Sequence, residues 1–118
     1  MEYRPFVSTE YRRGITLFNE ALFFEAHEVL EDVWRAAPPE RKKFLQGLIQ
    51  VAVAFHHHST GNRVGMRSLL ERSMKNLAEC PESFGGLQLA VLLESLAQWR
   101  DALDNNSQLP PLPRLEIP

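Results

Sequence analysis

Phe44-Leu45-Gln46-Gly47-Leu48-Ile49-Gln50-Val51-Ala52-Val53-Ala54-Phe55 decides the fold. Wound as a helix, this stretch is apolar on most sides, the mark of a central helix enclosed by others. Pro38-Pro39 precedes it and Gly61 follows it, so the spacing predicts a helix from Pro39 to about Thr60. Proline is harmless in a first helical turn, where its missing N–H would have no partner. Glycine just past a helix end accepts the left-handed backbone that closes it.

The flanking sequence supplies the enclosing helices. Upstream, Leu22 to Ala36 or Ala37 is predicted helical and stops there, because a residue before proline is pushed out of the helical region. Before it, a helix is predicted from about Thr9 to about Ala21, with Ser8 as N-cap. Tyr11, Ile15, Phe18 and Leu22 give that helix one apolar stripe, and Gly14 hints at a close contact. The break between these two segments is weakly marked, so one bent helix stays open. Downstream, Asn62 caps a helix from Arg63 to about Glu79, with Val64, Leu69, Leu70, Met74 and Leu77 inward. Pro81 to Gly86 is rich in turn formers and reads as a loop. A fifth helix is predicted from Leu87 to about Asp104, with Leu89, Leu92, Leu93, Leu96, Trp99 and Leu103 inward. No stretch alternates long enough to signal a sheet. The expected fold is all-α: a compact array of about five helices, the second and third forming an antiparallel hairpin. Residues 1–107 read as a single helical domain. Residues 108–118 hold four of the eight prolines and read as an extended tail. Leu109, Leu112, Leu115 and Ile117 favour a tail laid across the helices over a docking peptide.

A chain of 118 residues, 44% hydrophobic and 24% charged, fits one ordinary domain with a real core. A net charge of −2 argues against a domain held to nucleic acid by its overall field. The one cysteine, Cys80, cannot form an internal disulfide, and Glu79 and Glu82 beside it disfavour a thiolate. Met1 to Pro5 carries Glu2 and Arg4 with no apolar stretch behind it. The longest apolar run, Val51 to Phe55, is far short of the ~20 residues of a membrane helix. A cytoplasmic protein is the expectation. The chain lacks a Gly-rich phosphate loop, a nucleophile elbow and a Cys-x-x-Cys pair. Arg63, Arg67, Arg72 and Lys75 give the fourth helix a basic side, interrupted by Glu71 and Glu79, that reads as solvated.

The unusual chemistry sits on the second and third helices. At about 100° per residue from Phe23, Trp34 falls near 20°, His27 near 40° and Glu31 near 80°. His27 and Glu31 are therefore expected on the apolar face, as i,i+4 neighbours that can meet. Inward polar groups need partners. Counting helical rise out from the Pro38-Pro39 turn places Glu31 and Gln46 at roughly 8 and 10 Å, and His27 and Gln50 at roughly 14 and 16 Å. These matched heights predict a polar ladder inside the helix pair, with Gly47 letting the two helices approach. Trp34 reads first as a core residue. His56 lies about 12 Å past His27 in an ideal hairpin, so a metal site of His27, Glu31 and His56 would be strained there. His56-His57-His58 diverge by about 100° each and cannot grip one ion. His27-Glu28-x-x-Glu31 compares with the zinc-protease pattern H-E-x-x-H, with glutamate for the second histidine and with Glu28 facing outward.

Phe24-Glu25-Ala26-His27-Glu28-Val29-Leu30-Glu31 with Trp34, then Gln46-Gly47-Leu48-Ile49-Gln50, Ala52, His56, Gly61-Asn62 and Gly65, resembles the domain of unknown function 309 family. The resemblance spans about Phe18 to Leu77. It implies a compact helical fold and a bacterial, archaeal or plastid setting, and it implies His27, Glu28, Glu31, Trp34, Gln50 and His56 as signature positions. It brings no established activity.

Three functions stay open. In the first, His27, Glu31, Trp34, Gln46, Gln50 and His56 form a buried network that is structural or binds a ligand. In the second, His27, Glu31 and His56 hold a divalent metal ion in an enzyme, for instance a hydrolase, with Glu28 as candidate base. In the third, the chain is a protein-interaction module using the tail or the fourth helix; a homo-oligomer or another protein partner stays open.

Overall fold

The computed structural model describes residues 6–117. The Met1–Pro5 stretch and Pro118 lie outside them. Among the described residues five helices form: α1 Thr9–Asn19, α2 Phe23–Ala36, α3 Pro39–Ser59, α4 Arg63–Ala78 and α5 Leu89–Asn105. Two short strands, β1 Ser83–Phe84 and β2 Leu87–Gln88, pair antiparallel ahead of α5.

The helix ends follow local chemistry. Ser8 caps α1 by accepting from the Tyr11 N–H at 3.2 Å, and Asn62 caps α4 by accepting from the Gly65 N–H at 2.9 Å. Pro38 stands at the N-cap of α3 with Pro39 in its first turn. Gly61 follows α3 with φ +79°. α1 and α2 are separate helices. The turn between them places Ala21 at φ 62°, a backbone state that alanine adopts only at a cost. The β-hairpin departs from the expected plain loop. Gly85 and Gly86 have φ +59° and +77°, the two positive values a tight hairpin turn requires. Each strand is two residues long, too short for any alternation to be read.

α3 is the enclosed helix. It packs against α2 on one side and α4 on the other, while α1 packs on α2 and α5 on α4. Phe44, Leu45, Leu48, Val51, Ala52, Ala54 and Phe55 are all buried along it. Close approaches use glycine. A Cβ on Gly14 would stand 2.8 Å from the Leu30 side chain, so α1 and α2 nearly touch there. A Cβ on Gly47 would stand 2.8 Å from Leu77. Gly47 therefore admits α4, not α2 as expected.

Tyr11 is fully buried and its hydroxyl donates to the Gly85 carbonyl at 2.7 Å, tying α1 to the hairpin. Phe6, Tyr11, Phe44 and Phe84 pack edge to face around that bond. Two apolar residues expected inward are not. Val64, in the first turn of α4, is 82% exposed, and Leu22, beyond the end of α1, is 43% exposed. Residues 107–117 carry no helix or strand, and Leu115 among them is buried. Among the described residues no helix is long and apolar enough to cross a membrane.

Candidate functional site

The buried residues of α2 are Phe23, Ala26, Val29 and Leu30. Their centre lies well to the Ala26 side of Phe23 on the helical wheel. His27 and Glu31 therefore sit on the flank of the apolar face, and their side chains are 20% and 42% exposed. His27 Nε2 stands 3.3 Å from a Glu31 carboxylate oxygen, and Nδ1 stands 3.1 Å from the Phe24 carbonyl. Both neighbours are hydrogen-bond acceptors. Arg35 closes the other side of the carboxylate at 3.6 Å and also pairs with Asp32.

Phe24 joins this pair to α3. Its ring centroid is 5.3 Å from His27 and 5.4 Å from His56, so it lies against both imidazoles while remaining 47% exposed. At the far end of the hairpin, the Lys42 ammonium sits 4.2 Å over the Trp34 ring. The same ammonium donates to the Trp34 carbonyl at 2.9 Å, where a cation meets the carbonyl end of α2. Trp34 is half-buried, and its indole N–H has no hydrogen-bond partner among the described residues. The contacts Phe24–His56 and Trp34–Lys42 fix an antiparallel register. It places Val53 and Ile49, both partly exposed, level with His27 and Glu31. One continuous face results, aromatic and aliphatic along its floor.

The expected polar ladder does not form. Gln46 is exposed. Gln50 turns to α4, where its side-chain oxygen accepts from Asn76 at 2.8 Å. Once the buried face of α2 is centred on Ala26 and Leu30, the inner seam with α3 is wholly apolar. Glu28 is exposed on the outward side of α2. The three consecutive histidines separate: His56 against Phe24, His57 Nδ1 at 3.3 Å from Asn62, and His58 against Trp99.

His27 and Glu31 could offer two ligands to a metal ion. Among the described residues no three His, Cys, Asp or Glu side chains gather into a metal-holding group, whereas catalytic zinc takes about three protein ligands. Burial pushes the Cys80 thiol above its ordinary range, which disfavours the thiolate. Two ion pairs between helices shift carboxylates the other way: Lys43 holds Glu79 low, and Arg67 holds Asp104 low, each chiefly by a side-chain hydrogen bond.

The sequence did not reveal a cleft of about 300 Å³ beside the α2–α3 turn, lined by Phe6, Val33, Ala37 and Leu45 with Glu10 and Asp32. A second, of about 460 Å³, runs between α5 and the tail past Val91, Gln98 and Leu112. Neither takes in Phe24, His27, Glu31 or His56.

A family model described as "Domain of unknown function (DUF309)" matches residues 11–69, from α1 into α4. The chain is 36% identical over 76 residues to an uncharacterized protein of Aquifex aeolicus (strain VF5), covering 64% of this chain and 23% of that protein. It is 43% identical over 56 residues to the uncharacterized protein YpuF of Bacillus subtilis (strain 168), covering 47% of this chain and 32% of that one. The chain thus spans less than a third of the length of the curated relatives it matches.

Proposed function

This chain belongs to the DUF309 family of domains of unknown function, and from that premise we propose that it is a non-catalytic docking domain whose working surface is the α2–α3 face. One observation carries the proposal. Phe24 is held between two imidazoles yet remains 47% exposed. An exposed aromatic fixed in place among polar neighbours is the anatomy of a protein-binding surface. The face is open where small-molecule sites are concave, so it suits a segment of another protein.

Charge gives the partner its character. Glu31 borders this face, with Arg35 beside it and Glu28 exposed next outward on α2. A helix or peptide with an apolar anchor for Phe24 and basic residues for this rim is the complement. The energetics agree with a role outside folding. A half-exposed pair such as His27–Glu31 contributes at most about 1 kcal/mol to stability.

The test places a photo-crosslinking phenylalanine analogue at position 24, with position 64 as control, in cells that make the protein. A discrete protein adduct from position 24 alone is expected. The melting temperatures of Phe24→Ala, His27→Ala and Glu31→Ala should each fall by the equivalent of about 1 kcal/mol or less. Adducts that do not depend on the site would refute the docking surface. So would losses above about 2 kcal/mol, which would make these residues structural.

A further inference from the structure

The C-terminal segment Pro111-Leu112-Pro113-Arg114-Leu115 is held in the way peptide-binding proteins hold ligands. The Asn19 carboxamide meets the main chain of Leu115 on both sides. It donates to the Leu115 carbonyl at 2.7 Å and accepts from the Leu115 N–H at 2.8 Å. That pairing copies what a neighbouring β-strand residue would offer, and it reads backbone whatever the side chain. The Leu115 side chain is 3% exposed and joins the core cluster. Some 12 Å back along an extended chain, the Trp99 indole N–H donates to the Pro111 carbonyl at 3.0 Å.

Each recognising group belongs to the folded body. Trp99 is fixed edge-on between Phe55 and His58 at 5.0 and 5.1 Å, so its N–H points in one direction only. Asn19 is the last residue of α1. Gly86, whose Cβ would come within 3.1 Å of Ile117, leaves room for the chain to pass the hairpin. The link from α5 toward this segment, residues 106–109, is exposed throughout. Beside the segment the 460 Å³ cleft stays open along Val91, which is 69% exposed.

We propose that Asn19, Trp99 and the cavity that holds Leu115 form a recognition site for an extended proline-containing segment with a leucine anchor, occupied here by the chain's own residues 111–115. The ligand is a peptide in polyproline conformation, which arrives with little conformational entropy to lose. The site is separate from the α2–α3 face and stands whether or not that face docks a partner.

The test uses the full chain with Leu115→Asp, which expels the anchor, and a synthetic peptide of residues 108–118 supplied in trans. Titration followed by Trp99 fluorescence and by calorimetry should show one-to-one binding. Adding Asn19→Ala should weaken it at least tenfold, and a peptide with Leu115 replaced should not bind. A Leu115→Asp chain that melts cooperatively yet ignores the peptide overturns the proposal, as does binding indifferent to Asn19. If Leu115→Asp fails to fold, hydrogen exchange on the unsubstituted chain decides. Exchange of the Leu115 amide at least a hundredfold faster than α3 core amides, through local opening, supports a releasable ligand. Exchange only through global unfolding overturns it.

Discussion

Replacing Tyr11 with phenylalanine removes one oxygen atom and tests how α1 is tied to the hairpin. The hydroxyl is fully buried and donates to the Gly85 carbonyl at 2.7 Å. Its loss forfeits a hydrogen bond worth about 1 kcal/mol net and strands a buried carbonyl, for a total of roughly 1–3 kcal/mol. For a chain of this size that is a fall in melting temperature of roughly 4–15 °C. The same bond carries a pH signature. Burial raises the Tyr11 phenol above its ordinary value of 10.0. Its contribution is therefore whole below pH 10 and shrinks as pH rises further, because the unfolded chain releases the proton and the folded chain keeps it. The melting temperature of each protein should be followed by circular dichroism from pH 7 to pH 11. The gap between them should be constant to about pH 10 and then narrow, since Tyr11→Phe has no phenol to protect. All other titratable groups are common to both proteins and drop out of the difference. A gap that holds constant through pH 11, or widens, would refute a neutral, buried phenol at this position.

Other outcomes follow from single contacts. Gly85→Ala should cost roughly 2–4 kcal/mol in denaturant melts, because φ is +59° and the new Cβ would lie 2.6 Å from the Phe44 ring; a neutral result would show that the turn can relax. Gln50→Ala should lose about 1 kcal/mol with the Asn76 hydrogen bond, whereas Gln46→Ala should be silent in the same melts. Arg67 holds the Asp104 carboxyl below its ordinary value of 3.8, so this contribution is present above that value and fades as pH falls through it; Arg67→Ala should flatten part of the acid limb of a melting-temperature profile. Zinc or manganese added to the purified chain should leave the melting temperature unchanged. A rise abolished by His27→Ala would instead favour a metal site at the His27–Glu31 pair.

Much of the fold was legible because its punctuation is local. Pro38-Pro39 and Gly61-Asn62 mark helix ends through backbone restriction and capping, which need no knowledge of the rest of the chain. The α1–α2 break is only weakly marked, because it rests on an exposed alanine at φ 62°, a backbone state that its residue type does not announce. Gly85-Gly86 announced a turn, yet a hairpin with two-residue strands gives no periodicity to detect. Gly14 and Gly47 announced close approaches, but not to which helix. The partner of Gly47 proved to be Leu77, thirty positions on, a matter of tertiary register.

The candidate site was half legible for a related reason. That His27 and Glu31 meet follows from their i,i+4 spacing. Which way they face depends on the centre of the apolar stripe, and there the large residues mislead. Phe23 and Trp34 carry the most apolar area and pull the apparent centre toward His27. Yet Trp34 is only half-buried, while the small Ala26 is fully buried. Gly14 brings α1 within reach of Leu30 on this same stripe, and a face approached so closely favours a small residue such as Ala26 over a large one. The consequence is chemical. An imidazole and a carboxylate sealed inside the helix pair would require each other and serve folding. Turned to its edge, where one is 20% and the other 42% exposed, they hold each other in place and leave capacity for an incoming donor or charge. On the docking reading, Phe24, raised beside them on an i−3 spacing, would supply the apolar contact for such an encounter.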